Sequence, residues 1–150
     1  MSRVLFVHHT VSPATHTLFV AALEGVRDPQ IEDVEVVVRP ALTASAVDVL
    51  EADAYLLGSP VNLGYMSGAL KHFFDCIYYP CLDATKSRPF AVYLHSNSDA
   101  AGALRALDSI TTGLGWRAAQ APVVVAGEPS TAERSLVREM SAALAASLLL

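Results

Sequence analysis

Val4-Leu5-Phe6-Val7-His8 is a short, almost wholly apolar run, followed by a loop rich in hydroxyl groups and then by apolar residues at helical spacing. Four more such runs occur along the chain, at residues 34–38, 54–57, 90–94 and 123–126. Runs that do not alternate with polar residues are typical of strands buried on both faces of a sheet. The five runs therefore predict five buried strands.

Helical patterns lie after each of these strands. They cover residues 15–26, 43–51, 67–79, 100–112 and a final segment that begins at Ser130. Thr43 or Ser45 is expected to cap the second helix, and Ser130-Thr131-Ala132-Glu133 is a capping-box pattern. Strand and helix alternate five times, which predicts an α/β fold with helices on both faces of a parallel sheet. Five strands at this chain length favour the order 2-1-3-4-5.

Length, composition and charge limit the possible functions. The 150 residues are 53% hydrophobic, which fits one packed domain over residues 1–150. The formal net charge is -5, and the largest basic grouping is Lys86-Ser87-Arg88. Nucleic-acid binding needs clustered cations, so we expect no nucleic-acid partner.

Membrane, redox and metal signals are weak. No apolar run approaches the ~18 residues of a membrane span, and no signal-peptide pattern is present, so we expect a cytoplasmic protein without a membrane span. Cys76 and Cys81 match no zinc spacing and are expected to be reduced thiols, although a bridge between them stays open. Adjacent His8 and His9 point to opposite faces of a strand, so no metal site is expected.

In a sheet of this order, ligands bind beyond the carboxyl ends of the strands, near strands 1 and 3. The loop after strand 1 carries hydroxyls at Thr10, Ser12, Thr15 and Thr17 around a helix N-terminus, with no Lys or Arg. Such a loop is either a phosphate cradle, built from N–H groups and the helix dipole, or an ordinary helix cap.

Two further loops reach the same edge. Residues 58–68 are rich in Gly, Ser and Pro and form a long connection that a flat ring could approach closely; an ordinary Gly/Pro turn is the alternative. Residues 95–102 are short and polar, and they offer N–H groups to a ring edge unless they form only a capped polar loop.

The stretch Gly58-Ser59-Pro60, continued by Gly64 to Lys71 and by Phe74-Asp75, resembles the corresponding loop of the flavodoxin-like NAD(P)H-dependent FMN reductase and quinone reductase family. The pattern Thr10-x-Ser12-x-x-Thr15 is similar to the FMN phosphate loop of flavodoxins. The order of strands and helices matches over essentially the whole chain. The resemblance implies a flavodoxin-like three-layer sandwich.

The resemblance also implies a flavin site. The residues that would hold the FMN phosphate are Thr10, Ser12, Ala14, Thr15 and His16. Those that would line one side of the isoalloxazine ring, with Met66 nearby, are Ser59, Pro60, Val61, Asn62 and Gly64. Those at the polar edge of the ring would be Ser96, Asn97 and Gly102. No catalytic residue is assigned, because the flavin itself carries the redox chemistry.

The expected function is therefore an FMN-binding oxidoreductase that passes electrons from NAD(P)H to a small quinone or flavin-type acceptor. Pro13 and Ala14 replace the Gly and Asn usual in flavodoxins, and residues 95–102 lack the aromatic side chain that electron carriers typically stack on the ring. These departures favour a reductase over a flavodoxin-type carrier, which stays the alternative. A flavin-free binding protein with this fold is a third hypothesis. The resemblance also implies a possible homodimer.

Overall fold

The computed structural model describes all 150 residues. The seven strands are β1 (Ser2–His8), β2 (Val34–Pro40), β3 (Ala54–Asn62), β4 (Tyr65–Met66), β5 (Pro89–Ser96), β6 (Arg117–Ala118) and β7 (Val123–Ala126). The five helices are α1 (Pro13–Val26), α2 (Ala46–Glu51), α3 (Gly68–Cys81), α4 (Ala101–Leu114) and α5 (Thr131–Ser147).

The main sheet is parallel and runs in the order β2-β1-β3-β5, with β6 and β7 both on the far side of β5. The predicted fold and strand order are thus confirmed. The fifth position is divided between two short segments. Strand β6 pairs with the start of β5, where Pro89 lies opposite Arg117, and β7 pairs with its end, where Tyr93 lies opposite Val123.

The carboxyl ends of three predicted strands were wrong. The second strand continues from Val38 to Pro40. The third strand does not stop at Leu57 but continues to Asn62, where a two-residue turn returns the chain as β4. Leu63 and Gly64 form this turn with φ angles of 53° and 75°, and positive φ at both central residues is the pattern of tight hairpin turns. The fourth strand continues past Leu94 to Ser96, because β7 pairs with that end.

Each face of the sheet has its own core. Along β1, Leu5 and Val7 pack on the face covered by α2, α3 and α4, whereas Val4 and Phe6 pack on the face covered by α1 and α5. This alternation is the period of two that an extended strand imposes. Helices on both faces explain why the strand sequences are apolar throughout.

Every helix begins within three residues of its predicted start, but α1 begins at Pro13 rather than Thr15, and α2 begins at Ala46 rather than Thr43. Ser45 caps α2, and reciprocal capping boxes join Ser45 to Asp48 and Ser130 to Glu133. Helix α4 ends at Gly115, which has a φ of 76°. None of the helices combines the length and the apolar character needed to cross a membrane.

Helices α1 and α5 pack very closely at Gly25. A methyl group on Gly25 would collide with the backbone carbonyl of Arg138 on α5. The absence of a side chain therefore lets the two main chains come into direct contact, which fixes the C-terminal end of α1 against the middle of α5.

Candidate functional site

Four segments at the carboxyl edge of the sheet surround a cavity of about 650 Å³. We name them the β1 loop (residues 9–12), the β3–β4 hairpin (residues 60–66), the β5 loop (residues 97–100) and the β7 loop (residues 127–130). The cavity is lined by Val11, Ser12, Pro13, Ala14, Thr17, Pro60, Val61, Asn62, His95, Asn97, Ser98, Gly127, Glu128 and Pro129.

Thr15 holds the β1 loop in shape and does not line the cavity. Its hydroxyl accepts hydrogen bonds from the N–H groups of Val11 (3.0 Å) and Ser12 (2.9 Å), and it is 2% exposed. The Ser12 hydroxyl in turn accepts a hydrogen bond from the Thr15 N–H (3.1 Å). Ser12 lies on the cavity wall, so this capping box positions Ser12 while Thr15 stays buried behind it.

Thr10 and His16 also lie outside the cavity lining. The Thr10 hydroxyl is 2.8 Å from His8 Nδ1, and the His8 ring packs on Phe19 at a centroid distance of 4.4 Å. Burial lowers the pKa of His8, and neighbouring His9 lowers it further. His16 lies on the exposed side of α1 and lines a different groove.

The start of α1 offers free donors. Pro13 has no N–H group. The N–H groups of Ala14 and Thr10 donate to no other group in the protein. The first turn of α1 contains no acidic residue. Because a helix N-terminus carries a partial positive charge, Ala14 and its neighbour Ser12 form a place that suits an anion.

Within the β3–β4 hairpin, Pro60, Val61 and Asn62 line the cavity, whereas Ser59 and Met66 are buried behind it. The Ser59 hydroxyl donates to the Pro60 carbonyl (2.7 Å) and accepts from the N–H of Ser67 at the start of α3 (3.1 Å). These contacts tie the end of β3 to α3.

Gly64 and Gly102 contact each other and not the cavity. A methyl group on Gly102 would collide with the carbonyl of Gly64. The turn of the hairpin therefore lies directly against the first residues of α4, and this contact sets the separation between the hairpin and the β5 loop.

In the β5 loop, Asn97 and Ser98 line the cavity, and Ser96 lies behind them. The Ser96 hydroxyl donates to the Ser98 carbonyl (2.6 Å) and accepts from the Ser98 N–H (3.0 Å), which closes a tight turn. The N–H group of Asn97 has no partner in the protein. It is a free donor at the cavity edge.

His95 joins two of the four segments. It is 8% exposed, lines the cavity, and its Nε2 lies 2.7 Å from the carbonyl of Gly127. A carbonyl only accepts hydrogen bonds, so Nε2 carries the proton in this arrangement. The imidazole therefore fastens the end of β5 to the β7 loop.

Sequence reasoning missed the β7 loop altogether. Gly127, with a φ of 68°, leads into Glu128 and Pro129, and all three line the cavity. The sequence did contain a signal for this loop, because the fifth predicted strand runs parallel to the others and must end at the same edge of the sheet. In the other segments, Val11 and Pro13 line the cavity without having been predicted to bind a ligand. Thr17, His95 and Ser98 also line it; they belong to the loops that the sequence placed at this edge, although none of them was assigned to FMN.

The cavity chemistry suits a flat phosphorylated ligand. Its volume lies within the ~300–1,000 Å³ range of small-molecule sites. No Lys or Arg lines it, and Glu128 is the one carboxylate, so an anion would be held by amide groups and a helix dipole. Pro60 and Val61 supply an apolar wall. No group of three or more His, Cys, Asp or Glu side chains is arranged to hold a metal, and both cysteines are free thiols.

Comparison with known proteins gives consistent results. The model of the family described as NADPH-dependent FMN reductase matches residues 8–133. A flavodoxin from Aquifex aeolicus (strain VF5) is 36% identical over 75 residues, which cover 50% of this chain and 40% of that relative. The match thus spans less than half the length of that flavodoxin.

Solved structures show the same fold. A flavodoxin from the domain Archaea superposes with a TM-score of 0.83 at 13% identity, and the superposition covers 99% of this chain and 99% of that one. The flavodoxin, WrbA-like protein from Agrobacterium tumefaciens superposes with a TM-score of 0.75 at 20% identity and covers 97% of this chain and 96% of its own. At such identities the likeness concerns the fold alone.

Proposed function

Because the chain belongs to the NADPH-dependent FMN reductase family, we propose that it binds FMN in the cavity between its four loops and passes electrons from NAD(P)H to a quinone or flavin-type acceptor. FMN is the cofactor of this family and NADPH its electron donor. When bound, FMN supplies the redox chemistry by accepting hydride equivalents and releasing electrons.

The main support for this proposal is the start of α1. Ala14 presents a free N–H at the positive end of the helix, and the Ser12 hydroxyl lies beside it on the cavity wall. Together they would hold the phosphate, and Thr15 acts as a positioning residue through its hydrogen bonds to the β1 loop. This mode of binding needs no cationic side chain.

The other segments would hold the ring. Pro60 and Val61 offer an apolar surface to one side of it, and Asn62 a polar group at the rim. The unpartnered N–H of Asn97 would donate to the polar edge of the ring. A donor at that edge stabilises negative charge on the reduced ring, which is the charge that the reductase reaction must accommodate.

A pair of variants of equal size tests the phosphate position. Ala14→Glu places a negative charge at the free amide, and Ala14→Gln places a neutral side chain of the same shape there. In a titration followed by FMN fluorescence, we expect the Glu variant to raise the Kd for FMN at least ~10-fold over the Gln variant, which corresponds to about 1.4 kcal/mol. Equal Kd values for the two variants would place the phosphate elsewhere.

A measurement of NADPH oxidation distinguishes a reductase from a flavodoxin-type electron carrier. We expect the FMN-loaded protein to oxidise NADPH when a quinone or free FMN is added. Binding of FMN without NADPH oxidation would support a flavodoxin-type electron carrier instead, which the match to the Aquifex aeolicus flavodoxin favours. A protein that ignores FMN would be the flavin-free binding protein.

A further inference from the structure

Helix α3 carries two metal-binding side chains that the proposed function does not use. His72 and Cys76 are both exposed and lie four residues apart, so they share one side of the helix. His72 Nε2 lies 3.5 Å from Cys76 Sγ. We propose that this pair is one half of a Zn²⁺ site, and that the same pair of a second copy of the chain completes it. The inference does not depend on flavin binding.

The distance between the two atoms suits a tetrahedral zinc ion. Zinc binds imidazole nitrogen at about 2.0–2.1 Å and thiolate sulfur at about 2.3 Å, so at the tetrahedral angle these two ligands lie about 3.5–3.6 Å apart. The separation of 3.5 Å therefore lets both atoms bind one ion with the helix backbone as it stands. Cys76 is a free thiol, and it gives up its proton to solvent when its sulfur binds the metal.

The chain offers no third ligand beside this pair. Asp75, the neighbour of Cys76, is already held by an ion pair with Lys71. Cys81 is fully buried at the end of the helix. No group of three or more His, Cys, Asp or Glu side chains is placed to hold an ion within one chain. Structural zinc sites have four protein ligands, so two of them must come from another molecule.

A second copy of the chain is the partner that supplies the missing ligands. Two-fold symmetry brings the same surface of both copies together, and one His–Cys pair from each copy gives two imidazoles and two thiolates. Lys71 and Asp75 neutralise each other on each copy, so no net charge of this pair opposes the approach. Tyr79, one turn beyond Cys76 on the same side of α3, is 80% exposed and adds an aromatic surface of the kind enriched in interfaces.

Cobalt binding tests the ligands without any turnover. Co²⁺ accepts the same tetrahedral ligands as zinc, and its absorption spectrum reports both thiolate ligation and coordination number. We expect the reduced protein to bind one Co²⁺ per two chains with the spectrum of a tetrahedral thiolate site, and Zn²⁺ to displace it. One ion per chain, or a spectrum without a thiolate band, would overturn the proposal.

Variants identify the ligands of this site. Cys76→Ser should abolish the thiolate band, and His72→Ala should raise the Kd for Co²⁺ at least ~10-fold. Both side chains are exposed, so neither change removes a core contact. His16→Ala, which removes an exposed histidine of α1, is the matched control and should change neither quantity. Equal effects of His72→Ala and His16→Ala would show that His72 is not a ligand and would refute the site.

Sedimentation velocity tests the second copy. In Zn²⁺ and a phosphine reductant, which keeps the thiols free, the protein should self-associate at a chain concentration at least ~10-fold lower than in EDTA. Cys76→Ser should remove this difference. The same result is expected with and without FMN, so a failure of the flavin proposal leaves this test intact. Equal self-association in Zn²⁺ and EDTA, or a zinc effect that persists in Cys76→Ser, would refute the shared site.

Discussion

At Gly58 the main chain passes directly over the ring of Tyr93 on the neighbouring strand. Any β-carbon there would collide with the ring carbon that bears the hydroxyl, and Tyr93 is 2% exposed, so it has no room to move. This glycine, which the sequence placed at the start of a long connection, is therefore fixed by packing within the sheet.

We expect Gly58→Ala to lower the free energy of unfolding by about 2–3 kcal/mol, because overpacking a closed core forces side chains off their preferred positions. Gly68→Ala is the matched control, since a methyl group there meets nothing within 4 Å. Urea unfolding followed by circular dichroism measures both. Similar midpoints for the two variants would contradict the packing argument.

His8 gives stability a pH dependence of known sign. Its folded pKa is lowered, mainly by burial, below the value of about 6.5 in an unfolded chain. As the pH falls below 6.5, the unfolded chain takes up the proton first, so stability is complete above that pH and is lost as the pH falls toward the folded pKa.

The free energy of unfolding should therefore fall between pH 7.5 and pH 5.5, and it should fall less in His8→Gln. Urea titrations at the two pH values measure the difference. The same decrease in both proteins would show that another group causes the loss.

Thr15 shows a limit of sequence reasoning at this scale. A hydroxyl at the start of a helix can cap the helix or hold a phosphate, and both roles favour the same residue types. The distinction depends on which way the hydroxyl points, and here it points to the N–H groups of Val11 and Ser12. Spacing alone carries no such information.

At the scale of elements, the contact between Gly64 and Gly102 sets the width of the cavity. We expect Gly102→Ala to push the β3–β4 hairpin away from α4 and to raise the Kd for FMN about 10-fold, equivalent to about 1.4 kcal/mol. The FMN titration described for Ala14 measures this effect. The unfolding midpoint of Gly102→Ala should change less than that of Gly58→Ala, because Gly64 lies in an exposed turn. An unchanged Kd would mean that this contact does not shape the site.

Element types were easier to predict than element ends. The apolar runs placed all five predicted strands, but the hairpin after β3 depends on positive φ at Leu63, a residue that rarely adopts it. An Asn-Gly pair at the two central positions would have predicted such a turn. The division of the fifth strand position likewise depends on pairing with β5 and not on local sequence.

For the whole molecule, alternation of strands and helices with right-handed crossovers leaves few topologies, and this is why the strand order could be predicted. The groove between α1 and α5, which Glu24 and Arg138 line, could not be predicted from the sequence. These two residues come together only once both helices cover the same face of the sheet. Sites between elements distant in sequence need the assembled fold.

We also propose that the protein forms a homodimer, and exposed apolar side chains around the cavity support this proposal. Leu63 is fully exposed and Val11 is 61% exposed. We expect Leu63→Asn to weaken a dimer seen by sedimentation velocity and to raise the unfolding free energy by several tenths of a kcal/mol, since Asn tolerates positive φ better than Leu. A wild-type protein that sediments as a monomer at high micromolar concentration would contradict the dimer.

The direct contact of Gly25 on α1 with Arg138 on α5 has a consequence for biosynthesis. More than a hundred residues separate these partners, so the ribosome must deliver all the elements between α1 and α5 before this face of the sheet is fully covered. Until then α1 alone packs against Val4 and Phe6, and the part of that face that α5 covers stays exposed. Translation speed between α1 and α5 should therefore affect how much newly made polypeptide escapes aggregation.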